Sequence, residues 1–246
     1  MKISLLCENT SSRIGIKAEW GFSAFIEYND HKMLFDTGFS DVYTHNAEVM
    51  DIDLNSADIL ALSHYHRDHT GGLHEIPFNG RKELIVHPDL PGKLPDDLQS
   101  ILNNDLEVIE SKTPYEFTEG GFFLGEIPRK TSFEKGTYKG DPIKDDTALA
   151  YKTNNGCVVI SGCAHSGICN ICEHAKEITG QKLYAVIGGF HLFAHDRKTV
   201  TGTIEYFKEI KPEHLMPVHC VEFPVLAEFH NIFNIRKYSA GEIIEF

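Results

Sequence analysis

Ser63-His64-Tyr65-His66-Arg67-Asp68-His69-Thr70-Gly71-Gly72 follows directly on the apolar run Asp58-Ile59-Leu60-Ala61-Leu62. Three imidazoles and a carboxylate fall within six residues of it. These are the donors that zinc, manganese or iron takes up. In an extended segment, residues two apart point to the same side, so His64 and His66 can grip one ion. A turn into helix at Thr70-Gly71-Gly72 lets Asp68 and His69 face a neighbouring point and hold a second.

The rest of the composition narrows the setting. A chain of 246 residues with no low-complexity tract, linker or internal repeat is expected to form one domain, 1–246. A net charge of −13 disfavours nucleic acid and anionic membrane as partners, because either needs basic patches. A small-molecule substrate is expected instead, anionic where bound metal makes the cleft locally positive. No sequence feature speaks to oligomeric state. The segment Met1-Lys2-Ile3-Ser4-Leu5-Leu6-Cys7-Glu8 lacks a signal-peptide core, and no apolar run reaches membrane-spanning length, so a cytoplasmic location is expected. The six cysteines do not resemble a secreted disulfide scaffold and are left for packing or metal work.

Along the chain, strands are expected at Ile3 to Leu6, Gly21 to Tyr28 and Lys32 to Phe35, then at Ile59 to Leu62, Leu84 to Val86, and around Val108 and Tyr115. Asn154-Asn155-Gly156 joins two further runs, Thr147 to Tyr151 and Cys157 to Ser161, into a hairpin. Helical spacing predicts helices at Asp41 to Met50, Asp96 to Leu102, Ile168 to Thr179, Lys198 to Ile210 and Val225 to Phe233. Ser166 is the expected cap of the third. Strands at Tyr184 to Ile187, Leu215 to Val218 and Glu242 to Phe246 complete a pattern of two sheets with helices outside.

Chemistry recurs at the strand ends. His165 and His219 each follow a strand, as the first cluster does, and are expected as ligands. His64, His66 and His165 would serve one ion, and Asp68, His69 and His219 the other. Cys163 is either a thiolate ligand or a small buried residue. Asp36 is a turn residue or a carboxylate that orients a ligand imidazole. His87, at a strand end before proline, is expected to be structural or to orient a ligand. Arg129 is a solvated charge or a bidentate clamp for carboxylate or phosphate. His191, after Gly188-Gly189, is a candidate to face substrate or shuttle a proton. Two ions about 3.5–4 Å apart acidify a shared water and clamp both oxygens of a hydrolysis, so a hydrolase or related lyase using metal-bound hydroxide is the expected chemistry. A rival pattern is the Cys163, Cys169, Cys172 spacing, with Cys157 or Cys220 as a fourth ligand to an iron–sulfur centre in a ferredoxin-like electron carrier.

The Ser63 to Leu73 string resembles the signature of the metallo-β-lactamase superfamily. Glu8-Asn9, Trp20 to Ser23, Leu34 to Gly38, Ile127-Pro128-Arg129, Asp145 to Leu149, Ser161 to His165, Ile187 to Leu192 and His219-Cys220 extend the resemblance along nearly the whole chain. Within the superfamily they are most similar to the branch of metal-dependent hydrolases and 7,8-dihydropterin-6-yl-methyl-4-(ribofuranosyl)aminobenzene 5′-phosphate synthase-like proteins. The resemblance implies an α/β fold, a four-layer αββα sandwich, with two divalent metals, zinc or else manganese or iron. The branch points to a phosphorylated or pterin-like substrate, and Asp68, His191 and Arg129 are the expected catalytic residues. The chain departs from the pattern at three places. Lys144-Asp145-Asp146 stands where a histidine is usual, so that Asp146 could substitute as a ligand. Cys163 stands where much of the superfamily has Asp, and Val221-Glu222 where this branch has Thr-Gly.

Overall fold

The computed structural model describes residues 1–134 and 136–246. It resolves into two compact units, one of residues 1–112 with 239–246 and one of residues 113–238. Among the described residues there are two sheets and six α-helices, the mixed α/β architecture expected.

The first unit runs β1 (Lys2–Cys7), β2 (Ser23–Tyr28), β3 (His31–Phe35), α1 (Val42–Val49), β4 (Ile59–Ala61), α2 (Arg67–Thr70), β5 (Lys82–Val86), α3 (Asp96–Asp105) and β6 (Leu106–Glu110). The second follows with β7 (Tyr115–Thr118), β8 (Gly121–Phe123), β9 (Ala148–Lys152), β10 (Cys157–Ser161), α4 (Ile168–Thr179), β11 (Leu183–Gly189), α5 (Arg197–Ile210), β12 (His214–Val218) and α6 (Phe223–Phe233). The chain then returns to the first unit as β13 (Ile243–Glu245).

The first sheet has the order β13-β1-β2-β3-β4-β5-β6. It is antiparallel from β13 to β3 and parallel from β3 to β6. The parallel half needs crossovers, and α1 and α3 supply two of them. α1 buries Val42, Tyr43 and Ala47, and Leu98 and Leu102 are the buried positions of α3. With Leu6, Leu34, Leu60, Leu62 and Leu84 they form the unit's apolar core. Asn46, wholly buried on α1, donates to Leu6 O (2.7 Å) and Lys17 O (2.9 Å) and accepts from Lys17 N (2.8 Å). A polar side chain thus staples the helix to β1 without leaving its hydrogen bonds unmade.

The second sheet repeats the plan in the order β12-β11-β10-β9-β8-β7, antiparallel from β7 to β10 and parallel from β10 to β12. Its crossovers are α4 and α5. α4 turns Ile168, Cys169, Ile171, Cys172 and Ala175 inward and stops at Gly180, whose φ of 68° is the left-handed cap that glycine adopts without strain. α5 starts on Asp196, whose carboxylate accepts from Thr199 N at 3.1 Å. Val200, Ile204 and Phe207 carry its buried face into the same core.

β8, outside the strands expected from sequence, pairs with β7 and β9. Two expectations are corrected. The helix after the histidine string starts at Arg67 rather than Thr70, and Gly71–Glu75 is a 3₁₀ turn. Ser166 does not cap α4. That helix starts after Gly167, and the buried carboxylate of Glu134 accepts from Cys169 N (2.8 Å) and Asn170 N (3.0 Å) in its place.

Candidate metal centre

In the first unit, Phe35 on β3 pairs with Ala61 on β4, so the residues just past these strand ends emerge side by side. One is Asp36 and the other Ser63. Asp36 Oδ1 accepts from Ser63 N at 2.7 Å, and Oδ2 accepts from Ser63 Oγ and from His69 Nδ1, both at 2.7 Å. Asp36, Ser63, His64 and His69 are all wholly buried. Because Ser63 Oγ gives its proton to Asp36, its 3.0 Å contact with His64 Nδ1 requires the imidazole to be the donor. One carboxylate therefore fixes the Nδ1–H tautomer of both His64 and His69, leaving each Nε2 with a bare lone pair.

Those lone pairs face further donors. His64 Nε2 lies 3.0 Å from His66 Nδ1, and His69 Nε2 lies 3.7 Å from Asp68 Oδ2. A tetrahedral ion with nitrogen ligands at about 2.0–2.1 Å holds them about 3.3 Å apart, so the imidazole pair has nearly that spacing. The donors are neutral imidazole and carboxylate, which suits a zinc-like ion, and the set fits the metal that the resemblance implies. The glycines after it are steric necessities: a Cβ on Gly72 would lie 2.1 Å from Thr37 O, and one on Gly71 2.3 Å from Phe39 O. That close approach lets Thr37 N donate to His69 O at 2.8 Å and Phe22 N to Asp68 O at 3.1 Å, which pins α2 beside the strand ends. Asp36→Asn keeps the shape but turns an acceptor into a donor facing an imidazole N–H. We expect a 10–100-fold loss of metal affinity, read by competition with a chromogenic chelator. His87, also wholly buried in this unit, accepts from Asp89 N at 3.1 Å, a bond that shapes the turn after β5.

In the second unit the parallel strands β10, β11 and β12 end side by side and deliver Cys163 and His165, His191, and His219 with Cys220. The rings of His165 and His191 are 4.1 Å apart by centroid. Cys163 Sγ lies 3.5 Å from His191 Nδ1 and 3.0 Å from Cys220 Sγ. Burial works against ionising Cys220, but the bond from Cys163 and the charges of His219 and His191 outweigh it and hold the thiol well below its usual range. Cys220 had entered the sequence analysis as a spare iron–sulfur ligand and within the His219-Cys220 motif. Ser63 had been quoted with the histidine string but given no role, although a hydroxyl closing an apolar strand was the available signal.

Two other expected site residues have structural work. Arg129 donates through Nη1 to Gly136 O at 2.7 Å and through Nη2 to Pro142 O, so its fork holds the 136–142 loop rather than standing free for a substrate anion. Asp146, buried next to the hairpin, accepts from Ser166 N at 2.9 Å and from Ser166 Oγ. Burial pushes its pKa up to about 6 against the pull of those bonds. The iron–sulfur reading is not favoured. Cys169 and Cys172 lie in the apolar core on the inner face of α4, where burial pushes both thiols up. Among the described residues, neither joins a group of converging donors.

The comparisons with known proteins agree with this architecture. The model of the metallo-beta-lactamase superfamily matches residues 21–137. The chain is 32% identical, over 93% of its length and 90% of the relative's, to the 7,8-dihydropterin-6-methyl-4-(beta-D-ribofuranosyl)-aminobenzene-5'-phosphate synthase of Methanocaldococcus jannaschii. Among solved structures it is similar to Tm1679, a metal-dependent hydrolase of the beta-lactamase superfamily, with a TM-score of 0.86, 28% identity and coverage of 100% and 99% of the two chains. Zn(2+)-bound PqqB from Methylobacterium extorquens shares the fold at a TM-score of 0.67 and 12% identity, with both chains fully covered.

Proposed function

The chain belongs to the metallo-beta-lactamase superfamily, and on that premise we propose that it is a metal-dependent hydrolase or a related synthase acting on a phosphorylated or pterin-like small molecule. The ligands in this proposal are His64, His66, Asp68, His69, His165 and His219, serving two divalent ions. The observation that carries it is the Asp36 hub, which locks two imidazoles in the one tautomer that offers Nε2 outward. A buried histidine with a merely structural role has no need of that arrangement.

Divalent ions held there supply Lewis acidity and activate water at neutral pH. The chain's own residues do the rest. Asp36 and Ser63 keep the His64 and His69 rings oriented, so the donor set is arranged before any ligand arrives. Asp68, one-fifth exposed at its side chain, has a carboxylate able to accept a proton at Oδ2. His191 is half-buried while His165 and His219 are buried, and it is the imidazole we assign to substrate protons. The pterin element of the proposal is supported by the name of the M. jannaschii relative.

The test is turnover by the purified chain, metal-replete and chelator-stripped, across phosphomonoesters, phosphodiesters, lactones and pterin phosphates. Activity that chelation abolishes and zinc, manganese or iron restores is the expected result. Metal-replete protein that turns over no member of the panel overturns the proposal. No helix among the described residues is long and apolar enough to cross a membrane.

A further inference from the structure

Cys163 follows β10 and Cys220 follows β12, strands that lie on opposite sides of β11, yet their sulfurs are 3.0 Å apart. The end of β11 makes this approach feasible. Gly189 stands there, and a Cβ on it would lie 2.7 Å from Cys220 Sγ and 2.9 Å from Cys163 Cα. Any side chain at 189 would wedge the two thiols apart. The backbone around them is also held in an uncommon shape. Ala164, His191 and His219 have φ of 60°, 51° and 54°, one left-handed residue beside each strand end. Non-glycine residues keep such conformations only where their surroundings over-determine them, and clusters of them mark functional sites. His191 contributes twice, through Nδ1 at 3.5 Å from Cys163 Sγ and through its backbone N–H, which donates to Cys220 Sγ at 3.3 Å.

We propose that Cys163 and Cys220 are a site of reversible oxidation that closes to an internal disulfide, with a small peroxide as the oxidant. Their sulfurs are about 1 Å further apart than the bond length of about 2.05 Å, the gap that closure must take up. Two S–H bonds and the peroxide O–O bond break, and one S–S bond forms. The sulfurs together lose two electrons to the peroxide oxygens, and both thiol hydrogens end on those oxygens, as two waters when the oxidant is hydrogen peroxide. A thiol reductant reverses the step by exchange. The inference does not rest on the proposed activity.

The pair is set apart from the other four cysteines. Cys163 and Cys220 are buried too, 4% and 2% exposed, but their sulfurs face one another at 3.0 Å, whereas Cys7, Cys157, Cys169 and Cys172 are wholly buried and burial pushes each of their thiols up, that of Cys157 to about 11. Inert thiols of this kind give the oxidant little thiolate to attack. In a reducing compartment a link between Cys163 and Cys220 is transient, which is the behaviour of a sensing pair and not of a structural bridge.

The experiment treats the full chain, freshly reduced and freed of reductant, with one equivalent of hydrogen peroxide. Thiols counted after denaturation should fall from six to four, with a proteolytic peptide joining Cys163 to Cys220, and dithiothreitol should restore all six. Cys220→Ser should keep the circular dichroism of the parent and yield no joined peptide, and Cys163→Ser checks the same point from the other side. Retention of six thiols overturns the proposal. So does oxygen added to either sulfur with no link formed, or a link between Cys169 and Cys172 instead.

Discussion

His66→Ala should leave a folded protein that has lost tightly held metal and at least about a thousandfold in turnover. The fold survives because His66 supports α2 through its backbone alone. Its carbonyl accepts from His69 N at 3.0 Å and Thr70 N at 3.2 Å, while its side chain makes no capping bond. Alanine keeps that carbonyl, so the thermal midpoint should move by no more than a few degrees. The donor geometry does not survive, because His64 Nε2 loses the nitrogen that faces it at 3.0 Å. Metal polarisation of a reacting oxygen contributes several kcal/mol to transition-state stabilisation, and about 4 kcal/mol corresponds to a thousandfold in rate. Elemental analysis after gel filtration, together with kcat on whichever panel substrate responds, is the measurement. Unchanged metal content and turnover would remove His66 from the ligand set.

Gly188→Ala should be among the most destabilising single methyl additions in the chain, at about 4 kcal/mol. Gly188 sits in β11 opposite Ser161 of β10 with a φ of 120°, and a Cβ there would lie 2.0 Å from Ser161 O. The backbone conformation costs about 1–3 kcal/mol for a non-glycine residue and overpacking about as much again. Against a total stability of about 5–15 kcal/mol, that loss should lower the urea midpoint steeply. Gly180→Ala is the control. Its φ of 68° is also left-handed, but nothing lies within 4 Å of the added carbon, so only the backbone part, about 1 kcal/mol, should appear. Equal midpoints for the two variants would show that the contact with Ser161 relaxes away.

What could be read from the sequence, and what could not, divides along the distance between partners. The strands and helices were legible because apolar periodicity is local, and the histidine string because its donors are contiguous and follow an apolar run. Asp36 could be suspected from Phe35-Asp36-Thr37-Gly38, where a turn residue was the competing reading. Glu134 could not, because the helix it caps begins beyond Gly167 and no local pattern names so distant a carboxylate. Arg129 and Ser166 were misjudged for the same reason. Each satisfies a group elsewhere in the fold, Arg129 the carbonyls of Gly136 and Pro142 and Ser166 the carboxylate of Asp146. The cysteines show the limit most plainly. Spacing drew attention to Cys163 with Cys169 and Cys172, whereas folding pairs Cys163 with Cys220, 57 residues away.

The pairing of β13 with β1 ties the chain's order of synthesis to its order of folding. Lys2, Ile3 and Ser4 find their outer neighbours in Glu245, Ile244 and Ile243. On the ribosome, β1 is therefore an open sheet edge for the whole time that residues 113–238 are being made. The second unit has all of its strands before the first is closed. During translation, then, nascent chains arrested before residue 243 should expose β1 to proteases and chaperones, while those arrested after the last strand has left the exit tunnel should not.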